Sequence, residues 1–393
     1  MNDAFDQFLN GELKSIDEAG LLRSLLRIET PQQVEVHSGD RELINFSSND
    51  YLGLAAHESL RVAAQAGVET LGAGAGSARL ISGSQTIAHE LETALGAFKQ
   101  TEAALSFSSG YAAALGTVPV LVGQGDVVII DKLVHACLVD AARLSGAKLR
   151  VFKHNDLSDL EAILQWAGER EGNTLVISES VFSMDGDQAP LRDLVQLKNR
   201  YEAWLMLDEA HATGLYGAGR RGIAEEIGMA EHVEVQLGTL GKAFGAAGGY
   251  ICGSQALIDL LVNRARSFIF STAPVPAQLA AAKRGVELLQ SHEGEVLRTR
   301  LWANVDVLKN GLIQQGWELP VERSAILPLM IGDEREALTL AERLREAGIW
   351  VPAVRYPTVA RGSARLRVTV SAAHQMEHLN ALLDALANAT ANG

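Results

Sequence analysis

Cysteine is scarce. The 393 residues hold two, Cys137 and Cys252, in no CxxC pair and no zinc spacing. That argues against a disulfide framework and a structural zinc site, and leaves two small core residues in a reducing compartment. Basic charge is also in deficit: 34 Lys and Arg against 48 Asp and Glu give a net charge of −14. Nucleic acid as the main partner is thereby disfavoured, although a local basic site can still take an anionic small ligand. No apolar run approaches the roughly 20 residues of a membrane-spanning helix. The longest, such as residues 117–123, read as buried strands or short core segments. The first ten residues are acidic and polar and lack the basic and apolar regions of a secretory signal. A cytoplasmic protein with no membrane partner is expected. Internal repeats and low-complexity tracts are also missing. What is present is a composition with 47% hydrophobic residues, enough for a sizeable core, in a chain long enough for two or three domains.

Residues 1–30 carry apolar side chains at helical spacing (Phe5, Phe8, Leu9, Leu13, Ile16, then Leu21, Leu22, Leu25 and Leu26), and Thr30-Pro31 closes the run. A hairpin is expected over 34–45, around Ser38-Gly39-Asp40. From about residue 85 the pattern alternates. Helices are expected over 87–98, 110–121, 135–144, 157–167 and 191–201, and strands over 103–107, 126–130, 149–152, 174–179, 204–207 and 233–237. Apolar strands alternating with helices predict a largely parallel sheet covered on both faces. Ligands of such sheets bind beyond the carboxyl ends of the strands. A long helical stretch, 277–316, follows; residues 325–389 then mix strands (326–331, 366–370) with helices (336–347, 376–389). The divisions expected are an N-terminal helix and hairpin segment (1–55), a large α/β domain (56–290) and a small α+β domain (291–393).

The residues that carry chemistry follow the expected strands. In Trp204-Leu-Met-Leu-Asp208-Glu209-Ala210-His211 an apolar strand delivers Asp208 at its carboxyl end, with His211 three residues on. A carboxylate there can pair with a protonated ring nitrogen, and an imidazole can reach a phenolic oxygen. Those are the two polar handles of pyridoxal 5′-phosphate (PLP), whose electron sink needs its ring nitrogen protonated. The letters Asp-Glu-Ala-His also occur in helicase ATPases, but that reading requires G-x-x-x-x-G-K-[ST]. Here Gln236 stands where the first glycine belongs and Ala243 follows the lysine. An ordinary acidic strand end remains the bland alternative for the motif alone.

Lys242 lies in Leu237-Gly-Thr239-Leu-Gly241-Lys242-Ala-Phe-Gly245, an otherwise uncharged stretch. Against a normal lysine pKa of about 10.4, desolvation or a neighbouring cation favours the neutral amine that imine chemistry requires. Thr239 is placed to bind phosphate. Ser108-Ser-Gly110-Tyr111 opens a helix after a strand, where backbone N–H groups and the helix dipole suit an anion. His135 opens another helix and can stack on a flat ring; Ser183, after the 174–179 strand, can reach a ring hydroxyl. Singly these are a turn, a structural histidine and a surface lysine. Their weight comes from order and spacing: Asp208, His211, then Lys242 about thirty residues later, each segment following a strand. Gly72-Ala-Gly-Ala-Gly-Ser77 has no preceding strand and misses the G-x-G-x-x-G spacing, so a flexible loop over the active site is expected instead of a dinucleotide site.

Together the segments resemble the α-oxoamine synthases, PLP enzymes of the aspartate aminotransferase fold (fold type I). The matching stretches are Asn45-Phe-Ser-Ser-Asn49-Asp-Tyr51-Leu-Gly-Leu54, Ser82-Gly83-Ser84, Asp131-Lys-Leu-Val-His135-Ala, Glu179-Ser-Val-Phe-Ser183-Met-Asp185-Gly186-Asp187, Asp208-Glu-Ala-His211-Ala-Thr-Gly214, Thr239-Leu-Gly-Lys242-Ala-Phe-Gly245 and Ala364-Arg365-Leu-Arg367. The resemblance implies a large, mostly parallel sheet domain of the seven-stranded type and a smaller α+β C-terminal domain. It implies that Lys242 carries PLP as a Schiff base and is the acid/base at the amino acid Cα. By the same resemblance Asp208 pairs with the ring nitrogen, His211 with the ring oxygen, His135 stacks over the ring and Ser183 lies near it. Gly110, Tyr111 and Thr239 hold the cofactor. Arg367 takes the amino acid carboxylate, which suits its planar fork. Asn49, Arg23, Arg355 and Thr358 face substrate, Arg23 from the N-terminal helix, while Arg361 and Arg365 are read as solvated charges. Ser271-Thr272-Ala-Pro matches a segment that in the family reaches the neighbouring subunit's cofactor phosphate, implying a homodimer with shared active sites. The reaction implied is condensation of an amino acid, L-alanine by preference, with an acyl-CoA thioester such as pimeloyl-CoA. The alternatives are another reaction of the same family, such as glycine C-acetyltransferase, and a simple aminotransferase on the same fold.

Overall fold

The computed structural model describes residues 3–391, so the first two and last two residues of the expected divisions lie outside it. Seven strands form the main sheet, in the order Ala103–Phe107, Gly249–Gly253, Val235–Thr239, Trp204–Asp208, Thr174–Glu179, Val127–Asp131, Lys148–Phe152. Neighbours are parallel except at Gly249–Gly253, which is antiparallel to both strands beside it. Side-chain alternation sorts the strands into two cores. Val128, Ile130, Leu175, Ile177, Met206 and Leu237 enter one; Val127, Ile129, Val176, Leu205, Leu207 and Cys252 enter the other. Both faces are thus dry, which is why these strands are apolar at consecutive positions.

The strands end on helix starts that the sequence caps. Ser109 Oγ accepts from the Ala112 N–H at 3.0 Å to open Gly110–Leu121. His135 Nδ1 accepts from the Cys137 N–H at 3.2 Å to open Ala136–Leu144. A second, antiparallel sheet holds Ile326–Gly332, Ala364–Thr369 and Ala353–Val354. The hairpin of Glu35–Ser38 and Arg41–Asn45 pairs in parallel with Ile349–Trp350, so the N-terminal hairpin and the C-terminal part share a third sheet.

Several elements depart from the sequence expectation. The N-terminal helix, Asp3–Glu18, is shorter than its apolar spacing predicts. Gly20 turns left-handed (φ 67), and the Leu21 N–H returns to the Ile16 carbonyl at 2.9 Å, closing the helix. Arg23 therefore sits on irregular chain beyond the helix and not on it. The stretch predicted as one helix over 277–316 is two, Pro276–Gln290 and His292–Gln314. Ser291 between them is extended and caps the second through the Gly294 N–H at 3.3 Å. Helix Glu58–Leu71 and strand Gly249–Gly253 were not expected at all. Residues 72–77 form a loop, as predicted, but one tied to the 271–273 segment. The Ala273 N–H donates to the Ser77 carbonyl at 3.0 Å, and Ala78 bridges Thr272. Among the described residues no helix is long and apolar enough to cross a membrane.

Candidate active site

The carboxyl edge of the parallel strands gathers Lys242, His211, Asp208 and Glu179. Lys242 Nζ lies 2.8 Å from His211 Nε2, and the opposite ring nitrogen, Nδ1, lies 2.5 Å from the Tyr51 hydroxyl. Asp208 ends its strand with one oxygen accepting from the Ala210 N–H at 2.9 Å; the other has no hydrogen-bond partner among the described residues. Glu179 stands beside Asp208 on the neighbouring strand and accepts from the His135 N–H at 2.5 Å. Asp208, His211, Glu179 and Tyr51 are buried, whereas the His135 side chain is exposed.

Burial sets the charge states. Desolvation pulls the Lys242 amine down to about 8, although Asp208 and Glu179 act to raise it. Desolvation, then the neighbouring Asp208 charge, pushes Glu179 up to about 8. Asp208 is also raised by burial, with Lys242 and the Ala210 N–H opposing. His211 falls well below its ordinary value, first through burial and then through Lys242 and Arg367, so its ring is neutral. His135 is lowered by the same leading cause.

Arg367 spreads its guanidinium over three partners: the Ser183 carbonyl at 2.5 Å, Thr369 Oγ1 at 2.8 Å and Asn49 Oδ1 at 3.1 Å. This brings Ser183, Asn49 and Arg367 together beside Tyr51. Arg365, read from sequence as a solvated charge, is instead buried and pairs with Asp185 at 2.5 Å and the Met184 carbonyl at 3.1 Å. It fastens the turn after Ser183 to the Ala364–Thr369 strand. Arg361 is exposed and lies over the Tyr356 ring.

The expected phosphate seat also assembles. Gly110 heads its helix against Thr239, to whose Cβ a Cβ on Gly110 would lie 3.7 Å away. Gly249 makes this approach possible, since a Cβ there would stand 2.4 Å from the Gly110 nitrogen. The Thr239 hydroxyl donates to the Gly248 carbonyl at 3.0 Å and accepts from the Gly241 N–H at 3.2 Å. The Tyr111 hydroxyl donates to Asp140. Arg23, Arg355 and Thr358 form a separate group. Arg23 Nη2 donates to Thr358 Oγ1 at 3.3 Å, and Arg355 binds the carbonyls of Gly20 and Leu22, the latter at 2.8 Å. Thr272 is exposed on the segment bridged to Ala78.

Three polar neighbours escaped the sequence reading as site residues. Tyr51 and Glu179 stood in quoted motifs with no role, and Cys137, whose Sγ lies 3.0 Å from His135 Nδ1, was read as core. A fourth, His154, holds the edge of the site. Its Nδ1 is 3.0 Å from Asp131 and its Nε2 is 2.8 Å from Asp187, so one ring ties the end of strand Val127–Asp131 to the loop that follows Thr174–Glu179. Burial alone would lower its pKa, but the hydrogen bonds and charges of the two carboxylates hold it up at about 10. A histidine raised in the folded state contributes stability that is complete below its unfolded pKa of about 6.5 and fades as pH rises through the folded value. His154→Gln is thus expected to cost about 2 kcal/mol near pH 6, the scale of hydrogen bonds to charged groups, and progressively less towards pH 10. Urea denaturation of both proteins across that range checks it; a difference that stays constant with pH contradicts the charged bridge.

The sequence and fold match those of known proteins. The chain belongs to the aminotransferase class I and II family, whose model matches residues 41–386. It is similar to an 8-amino-7-oxononanoate synthase from Geobacter sulfurreducens, 45% identical over 378 residues that cover 96% of each chain. Among solved structures, serine palmitoyltransferase of Sphingomonas wittichii superposes with a TM-score of 0.91 at 30% identity, covering 99% of this chain and 98% of the other. A structure of SPT with PLP gives 0.92 at 28%, covering 100% and 99%.

The residues of this chain fit PLP. Lys242 is a lysine whose amine is shifted towards neutrality and is hydrogen-bonded to an imidazole, with no carboxylate among the described residues paired to it. Asp208 presents a free oxygen at a strand end. The Gly110 helix start and Thr239 form an N–H-rich, hydroxyl-lined anion seat.

Proposed function

We propose that this chain condenses L-alanine with a pimeloyl thioester, carried on CoA or a carrier protein, to give 8-amino-7-oxononanoate, free thiol and CO2, a step of biotin synthesis. The observation that carries the reading is 45% identity along almost the whole chain to a synthase of that name. A PLP-dependent C-acyltransferase of the α-oxoamine synthase kind accounts for the site beside it.

Lys242 would hold the cofactor through its amine and would then, once freed, take the proton from the amino acid Cα. Asp208 would accept the hydrogen bond of the ring nitrogen, and His211, with Ser183 nearby, would serve the ring oxygen. His135 would cover the ring. Gly110, Tyr111 and Thr239 would seat the phosphate, with Thr272 contributed by the other subunit of a homodimer. Arg367 and Asn49 take the amino acid carboxylate; Arg23, Arg355 and Thr358 face substrate. Bound PLP supplies the electron sink that accepts the charge left at Cα. The Cα proton passes to Lys242, a carbon–carbon bond forms at the thioester carbonyl as the thiol departs with a proton, and the carboxylate leaves as CO2 while Cα takes up a proton in its place. A cytoplasmic setting suits the two free, buried cysteines.

The test is a panel. The purified, PLP-loaded protein is offered alanine, glycine and serine with acyl-CoAs of different length, and free thiol and CO2 are followed together. Fastest release of both with L-alanine and pimeloyl-CoA is expected. Conversion of the cofactor to its amine form by an amino donor, with no thioester required, points instead to an aminotransferase.

A further inference from the structure

We propose that Tyr51 is a positioning residue whose phenol fixes the tautomer of His211, so that His211 presents an N–H to the cofactor oxygen and to Lys242. The inference rests on the PLP reading above and adds a residue to it.

Tyr51 lies in the loop after strand Arg41–Asn45, is 1% exposed, and reaches His211 across 160 positions of sequence. The 2.5 Å contact between its oxygen and Nδ1 needs one proton between them, from either side. Two observations assign that proton to the phenol. The other acceptor within reach of the phenol, Asn49 Oδ1, is 3.4 Å away and takes an N–H of Arg367 at 3.1 Å. Burial pushes the phenol up to about 12 despite Arg367, so it keeps its proton.

A neutral imidazole carries one N–H. With Nδ1 accepting from Tyr51, that N–H is on Nε2, the nitrogen 2.8 Å from Lys242. An N–H pointing at the amine requires the amine's lone pair, so the same phenol favours neutral Lys242. The opposite tautomer would turn the phenol's own O–H away from its 2.5 Å partner and leave it Asn49 Oδ1 at 3.4 Å, an oxygen already taken by Arg367. It would also aim a lone pair at the place of an electron-rich ring oxygen. The hydrogen bond on one imidazole nitrogen thus decides what the other offers. Tyr51 and Arg367 both reach Asn49 Oδ1, at 3.4 and 3.1 Å, so the carboxylate pocket and the cofactor pocket adjoin there.

Tyr51→Phe removes the hydroxyl and keeps the ring packing. In the ¹⁵N-histidine NMR spectrum of the full-length holoenzyme, with His211 assigned through His211→Asn, the native protein is expected to show Nδ1 unprotonated and Nε2 protonated. In Tyr51→Phe the Nδ1 signal should move towards the protonated position. The pH midpoint of the bound cofactor's absorbance should move with it. Turnover should fall about tenfold, the effect of losing one hydrogen bond's worth of about 1.4 kcal/mol, with the alanine KM changing much less. Unmoved His211 signals and an unmoved midpoint in Tyr51→Phe overturn the proposal. Should that variant fail to fold, 3-fluorotyrosine at position 51 tests the same bond, because it makes the phenol a stronger donor at nearly the same shape. A displaced Nδ1 signal then supports the proposal and an unchanged one sinks it. These signals are read without substrate, so failure of the thiol-release panel would count against the proposed reaction and leave the Tyr51 result standing.

Discussion

Lys242→Ala is expected to abolish turnover, lowering kcat by at least about 10⁴-fold, the scale on which an unreplaced nucleophile and base acts. The absorbance of lysine-linked PLP should disappear with it. The expectation follows from position: the amine sits at the strand ends, 2.8 Å from His211, and burial brings it down to about 8, so an appreciable neutral fraction exists near neutral pH. Neither of the buried lysines among the described residues stands in for it. Lys99 is held by Glu209 at 2.7 Å and by the Arg221 carbonyl, and Lys198 is paired with Glu234. The Ala variant should still bind PLP through the phosphate seat, so the defect is chemical. Small primary amines added to the solution should restore part of the activity. Full activity in Lys242→Ala with no amine supplied would remove Lys242 from the chemistry.

The parallel sheet and its chemistry were legible because the signals are local. Strands buried on both faces leave consecutive apolar residues in the sequence, as in Val127–Asp131 and Trp204–Asp208, and the candidate site residues follow them. Asp208, His211 and Lys242 could therefore be singled out by their places after strands, their order and their spacing, while their roles came from the family resemblance. The strand Gly249–Gly253 gave no such signal. It begins and ends on glycine and runs antiparallel beside Val235–Thr239, while the alternating pattern points only to parallel crossovers. Gly249 is there because Gly110 passes within a Cβ's reach, a contact between distant segments. Tyr51 was hidden for a related reason: its partner is 160 positions away, and one aromatic in a loop reads as core. Arg365 misled the reading because a strand arginine next to another arginine looks solvated, and its partner Asp185 is far off in sequence. Arg23 misled it because the apolar spacing continues past Gly20, where left-handed backbone ends the helix.

Asp208→Asn is the second large effect. The substitution keeps shape and the Ala210 N–H bond but removes the charge that would keep a ring nitrogen protonated. Exchange of the alanine Cα hydrogen with deuterated water, and turnover, are expected to fall about 10³-fold, in line with loss of a single preorganised electrostatic partner, while PLP remains bound. The substitution has a second consequence of known sign. The Asp208 charge raises the Lys242 pKa, so its removal lowers that pKa further below about 8 and makes the amine more neutral. The lysine is then better prepared to hold PLP and to accept a proton, and its own ionisation cannot explain a loss. A fall in exchange accompanied by a downward shift in the pH midpoint of cofactor attachment therefore isolates the ring nitrogen as the point where Asp208 acts. Exchange at the native rate in Asp208→Asn would show that the charge at this strand end is not required, and would return Asp208 to the role of an ordinary buried acid.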